Sequence, residues 1–252
     1  MEKLILKLPE DISLPKLLGL IFIPTSLVTT AYILIGQLQN AIPSILLFFL
    51  LASVILFPIE LAVILFASKR NYGSYSLKSA FANHTHMSWW KILIYGSFLF
   101  GFAGLMSITV APLEQMLAQP LADRFSHIVP VYFNWNNMEY LAQYPENILL
   151  ITWVAYFTLN VIIGPIVEEL FFRGYLTSKT SRFGKWSPLI ITVLFSLYHF
   201  WLPFSNLFRI AAFLPAAYVA WKKKNIYISI VFHCLCNLIS TIGLITAVYA
   251  VR

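Results

Sequence analysis

Seven stretches of this chain are long and apolar enough to cross a lipid bilayer as helices, and that constrains the fold more than any other feature. Crossing the ~30 Å hydrocarbon core takes roughly 20 mostly apolar residues, and backbone polar groups inside it must be satisfied within the helix itself. The stretches are 17–36, 42–68, 90–112, 148–178, 186–202, 205–221 and 225–249. The gaps at 37–40, 71–76, 178–187 and 222–225 hold the polar and turn-forming residues expected of connections. Of the 252 residues 60% are hydrophobic and only 11% are charged, a composition that a soluble domain could not hide from water. The expected fold class is all-α, a polytopic transmembrane helix bundle of about seven spans.

Charge orients it. The 17 Lys and Arg are scattered among apolar runs and form no basic stripe, so the net charge of +7 reflects membrane topology and no nucleic-acid partner is expected. The basic segments are the N-terminus (Lys3, Lys7, Lys16), the 69–91 loop, the 179–185 loop and Lys222 to Lys224. All fall on one side of a seven-span arrangement, which places the N-terminus inside and the C-terminus outside. The run 17–36 is longer than a signal-peptide core and lacks a small-x-small cleavage site, so it reads as a retained first span. Trp89, Trp90, Trp186, Trp201 and Trp221 sit near span ends, where amphipathic rings settle at headgroup level. Residues 1–147 form a three-span region whose outer segment, 113–147, mixes four prolines with aromatics and suggests short interfacial helices. Residues 148–252 form a second bundle. Cys234 and Cys236 are too close for an ordinary disulfide and read as small buried hydrophobes.

Ionisable groups inside spans cost a few kcal/mol each on insertion scales, so each needs a partner or a task. Four regions stand out. In Glu168-Glu169-Leu170-Phe171-Phe172-Arg173-Gly174, Glu169 and Arg173 are four residues apart on one helix face and form a plausible ion pair. Glu168 lies about 100° round the helix and is left to face a cavity. Phe195 to His199 places an imidazole in the middle of the fifth span, and His233 and Asn237 share a face of the seventh. Glu60, after Pro58, belongs to no motif and could pair with a basic residue near the inner interface. Alone, each has a bland reading: a charged helix end for the Glu-Glu string, interhelical hydrogen bonds for the rest. Depth favours a shared site. At ~1.5 Å per residue, Glu168 lies about 16 Å from Lys179, His199 about 21 Å from Lys185 and His233 about 13 Å from Lys224.

The ordered trio Glu168-Glu169-x-x-x-Arg173, Phe195-x-x-x-His199 and His233-x-x-x-Asn237 resembles the three motifs of the CPBP family, the CAAX-processing endopeptidases and the bacterial bacteriocin-processing or abortive-infection proteins. The resemblance covers about 148–247. It implies an intramembrane endopeptidase in which Glu168 and His199 activate the attacking water. His233 and Asn237 would stabilise the oxyanion, Glu169 with Arg173 would hold the site in shape, and Phe195 would support it by packing. The resemblance leaves the cofactor open between a metal-free glutamate mechanism and a metalloprotease. Zn2+ is the one metal considered, with Glu168, His199 and His233 as ligands and water in a fourth position; both routes stay open here. The expected partners are the bilayer and a membrane-associated peptide or protein, prenylated or a leader peptide, in the cell membrane or, in a eukaryote, the ER membrane. The rival readings are a non-catalytic immunity or binding protein that uses the same pocket, and a small transporter with Glu60, Glu168 and His199 as relay groups.

Overall fold

The computed structural model describes residues 11–252, so Lys3 and Lys7 lie outside the described residues. Those residues form helices and no strand: α1 (Leu14–Leu38), α2 (Ser44–Tyr72), α3 (Trp89–Ser126), α4 (Pro130–Phe133), α5 (Met138–Ala142) and α6 (Glu146–Leu176). A 3-10 turn (Ser181–Trp186) then leads to α7 (Ser187–Tyr198), α8 (Asn206–Lys223) and α9 (Tyr227–Val251). The α1, α2, α3, α6 and α9 helices are long and apolar enough to cross a membrane. Each of the seven expected stretches contains a helix, but the fifth is helical only over the 12 residues of α7 and α8 carries Arg209, Lys222 and Lys223, so neither is among the five.

The basic segments gather at one end of the bundle. Thr85 N and Oγ1 donate to the carbonyls of Lys224 and Lys223 (both 2.8 Å), and Ile12 N donates to the carbonyl of Lys179 (3.1 Å). At the opposite end Tyr249 Oη and Arg252 Nη1 donate to Glu146 (2.6 and 2.5 Å), and the rings of Phe133 and Phe204 stack with centroids 6.1 Å apart.

Four expectations are corrected. The third span does not end at 112: α3 continues through Pro112 and Pro120 to Ser126. Its 38 residues measure about 57 Å, well beyond a bilayer core. Residues 113–119, Leu-Glu-Gln-Met-Leu-Ala-Gln, are strong helix formers, and their propensity carries the helix on. The rest of the outer segment does form short helices, α4 and α5. Trp201 is not at an interface; it is 5% exposed and packs its ring 4.6 Å from that of Phe48. Cys234 and Cys236 are only half-buried.

The fourth correction concerns His199, which lies at the end of a helix and not within one. Pro203 disfavours helical backbone at Leu202 and has no N–H to continue the ladder. The last carbonyls of α7 take side-chain donors beside short local backbone bonds: Phe195 accepts from His199 Nδ1 (2.8 Å), Ser196 from His199 N (3.2 Å) and Arg209 Nη1 (3.1 Å), and Tyr198 from Phe200 N (2.8 Å) and Thr25 Oγ1. Thr25 is eleven residues into α1, about 16 Å along it. The irregular 199–205 segment therefore begins part-way across the bundle, where non-helical backbone is tolerated only if protein covers it or it lines a cavity.

Candidate active site

The segment that carries Glu168 and Glu169 is not a uniform α-helix. Within α6 a π-helical stretch (Phe157–Ile163) precedes Gly164–Glu169 and another (Leu170–Leu176) follows it. Such widened turns often mark functional sites. Gly174 is required by close approach, because a Cβ there would stand 2.6 Å from the carbonyl oxygen of Ala80 in the loop after α2.

The two carboxylates have different surroundings. Glu169 is fully buried, and its Oε1 lies 3.2 Å from Arg173 Nη1 and accepts from His233 Nδ1 at 3.0 Å. The pairing expected from the four-residue spacing is present. Glu168 points to a cavity of about 660 Å³, with Oε1 3.4 Å from the Tyr198 hydroxyl and Oε2 3.8 Å from His233 Nε2. Glu168, His199, His233 and Asn237 all line this cavity, whereas Glu169 and Arg173 stand behind it. Three motifs on three helices thus meet at one place.

Phe195 has a defined position among them. The Arg173 guanidinium lies 4.0 Å above its ring centroid, and the rings of His199 and His233 meet it edge-on at 4.8 and 5.9 Å. The buried cation thus has an aromatic face as well as the carboxylate of Glu169 beside it. His199 Nδ1 faces the Phe195 carbonyl, which can only accept, so Nδ1 carries the hydrogen and Nε2 is left as an acceptor.

Asn237 is engaged in a way its motif did not suggest. Its amide donates to the carbonyl of Asn160 (2.8 Å). Gly164 N–H bonds to the Leu159 carbonyl five residues back, and Pro165 has no N–H for the next one. The Asn160 carbonyl is therefore an orphan of the π-helical stretch, and Asn237 satisfies it. One hydrogen of the Asn237 amide remains for another acceptor.

Several residues that line or support the cavity carried no motif. Tyr198 stands between Glu168 and Glu60, and Glu60 is 1% exposed. Among the described residues no basic side chain forms an ion pair with Glu60. Asn160 and Arg209 line the cavity, and Trp135 closes it from the connection between α4 and α5. Arg209 did leave a signal, since an arginine in an apolar span is itself a candidate functional group. Tyr198, a neutral residue among aromatics, left none.

Glu168, His199 and His233, the donors considered for zinc, all line the cavity, and among the described residues no group of three or more His, Cys, Asp and Glu is placed so as to hold a metal ion. What the residues at hand offer is a carboxylate and an imidazole facing a common space.

A model of the type II CAAX prenyl endopeptidase Rce1-like family matches residues 150–239, a segment that contains all three motifs and is consistent with the CPBP resemblance. No curated protein and no solved structure matches the chain.

Proposed function

We propose that this chain is an intramembrane endopeptidase that hydrolyses a peptide bond of a membrane-associated substrate, either a prenylated C-terminus or a leader peptide. The observation that supports this most is that Glu168, from α6, and His199, at the end of α7, line one cavity, with only the Tyr198 hydroxyl and His233 Nε2 beside the carboxylate and His199 Nε2 left as an acceptor. Glu169, Arg173 and Phe195 fix that cavity from behind. In this reading Glu168, with His199 Nε2, takes a proton from water as its oxygen attacks the scissile carbonyl carbon. The tetrahedral oxyanion is met by the remaining amide hydrogen of Asn237 and by His233 Nε2 in the form of the ring that carries hydrogen on both nitrogens, Nδ1 being engaged with Glu169. Collapse breaks the C–N bond, and the captured proton passes to the leaving amine. Glu169 acts indirectly, by holding the ring of His233 and neutralising Arg173. No step requires a metal.

The test is proteolysis of a panel of apolar peptides by purified protein, with and without a chelator, beside Glu168→Gln and His199→Ala. Each variant is expected to lose cleavage by orders of magnitude while it still folds and binds peptide, and the double variant to be little worse, because groups that act as a unit are not additive. Full activity of a well-folded Glu168→Gln would end the proposal.

A further inference from the structure

Arg209 sits in the first turn of α8, is 8% exposed, and lines the same cavity as Glu168 and His199. Taking a guanidinium out of water is costly unless an opposite charge accompanies it. Its close partners are neutral: Nη1 donates to the Ser196 carbonyl (3.1 Å) and reaches Ser196 Oγ (3.5 Å), and Nη2 reaches the Leu202 carbonyl (3.5 Å). Among the described residues no carboxylate forms an ion pair with it. Glu168 and Glu114 act on it only from a distance, and both oxygens of Glu114 are taken by the N–H groups of Leu207 and Phe208. Arg173, by contrast, has Glu169 at 3.2 Å and an aromatic face. Of these two buried arginines, Arg209 has no ion-pair partner among the described residues.

We propose that Arg209 receives a carboxylate of the peptide substrate and so selects peptides with a negative charge close to the scissile bond; this rests on the endopeptidase reading above. A guanidinium presents parallel N–H groups that match a carboxylate. The cavity is otherwise lined largely by aromatic and aliphatic side chains such as Phe48, Phe100, Trp135 and Leu202, so an uncharged peptide would leave Arg209 unneutralised. A volume of about 660 Å³ falls in the roughly 300–1,000 Å³ range of small-ligand pockets, and it admits only a few residues. The acidic group that reaches Arg209 is therefore a near neighbour of the carbonyl that faces Glu168. Charge also sets direction: a carboxylate is drawn to Arg209 and repelled by Glu168, which fixes which way the peptide lies. The carboxylate can be the C-terminal α-carboxylate or the side chain of an Asp or Glu.

The experiment uses four fluorescein-labelled apolar heptapeptides and the full-length protein in detergent. One has a free C-terminal carboxylate, one a C-terminal amide, one the amide with an Asp near the C-terminus, and one a free acid extended by six neutral residues. Binding is measured with the Glu168→Gln variant and cleavage with the native enzyme. The free acid is expected to bind about tenfold to a hundredfold more tightly than the amide, the range of a charge-assisted hydrogen bond, and to show the difference in KM more than in kcat. Recovery by the Asp peptide identifies a side-chain source; loss on extension identifies the C-terminus. Arg209→Gln should bring the acid down to the level of the amide and leave the amide within a few-fold of its native value. A purely structural arginine, holding the carbonyls of Ser196 and Leu202, would lower both equally, and that result overturns the proposal, as does equal binding of acid and amide. If Arg209→Gln does not fold, the acid and amide comparison on the unmodified Arg209 decides alone. Selective binding without any cleavage would sink the protease reading and spare this one.

Discussion

Glu169 shares one oxygen between Arg173 and His233, whereas Glu168 lines the cavity and has only the longer contacts to Tyr198 and His233, so substitutions at this pair should fail in different ways. Removal of the Arg173 guanidinium leaves a buried carboxylate with an imidazole alone and uncovers the ring of Phe195. Breaking a buried pair by removing one partner typically costs about 3–5 kcal/mol. Arg173→Ala is therefore expected to lower folded yield and thermal stability as well as activity, in contrast to Glu168→Gln, which should spare both. Size-exclusion profiles and thermal melts in detergent would check this, and a fully stable Arg173→Ala would count against the pairing as a structural element.

Among the elements, α8 has an unusual start. Ser205 at its N-terminus makes no side-chain cap; instead Glu114, from α3, accepts from Leu207 N (2.7 Å) and Phe208 N (2.8 Å). A carboxylate there satisfies two orphan N–H groups and sits at the positive end of the helix dipole. This explains why α3 must run past residue 112, since the carboxylate has to reach the level at which α8 begins. Glu114→Ala should destabilise the fold by about 1–2 kcal/mol, the upper part of the range for lost caps. Because Arg209 is in the same first turn, peptide binding should weaken too. A melt by intrinsic tryptophan fluorescence would read the first effect, and an unchanged midpoint would argue that water replaces the cap.

At the scale of the whole molecule the two ends of the bundle are chemically distinct. One gathers Lys179, Lys185 and Lys222 to Lys224, and the other holds the contact of Glu146 with Arg252. We propose, from the positive-inside rule, that the first end faces the cytosol. A reporter fused after Arg252 is expected to report the non-cytosolic side, and one inserted at 73–76 the cytosolic side; the reverse pattern would invert the proposed orientation. Whether α7 and α8 cross as full spans bears on the same picture. The α7 helix is only about 18 Å long, so cysteine labelling along 199–205 should find positions shielded from both aqueous faces.

Some of this was written in the local sequence and some was not. The helices, the Glu169 and Arg173 pair and the shared face of His233 and Asn237 were legible, because hydropathy, the 3.6-residue period and i, i+4 spacing act within one element and need no knowledge of its neighbours. Even the meeting of three motifs could be anticipated, since a helix converts residue count into depth almost linearly. The end of α7 at Tyr198, the capture of the Asn160 carbonyl by Asn237, the capping of α8 by Glu114 and the isolation of Arg209 could not be read that way. Each depends on which polar group from a distant part of the chain arrives at an orphaned donor, acceptor or charge. Such partnerships are set only when the helices pack, where every buried polar group must be satisfied by whatever the tertiary structure brings beside it.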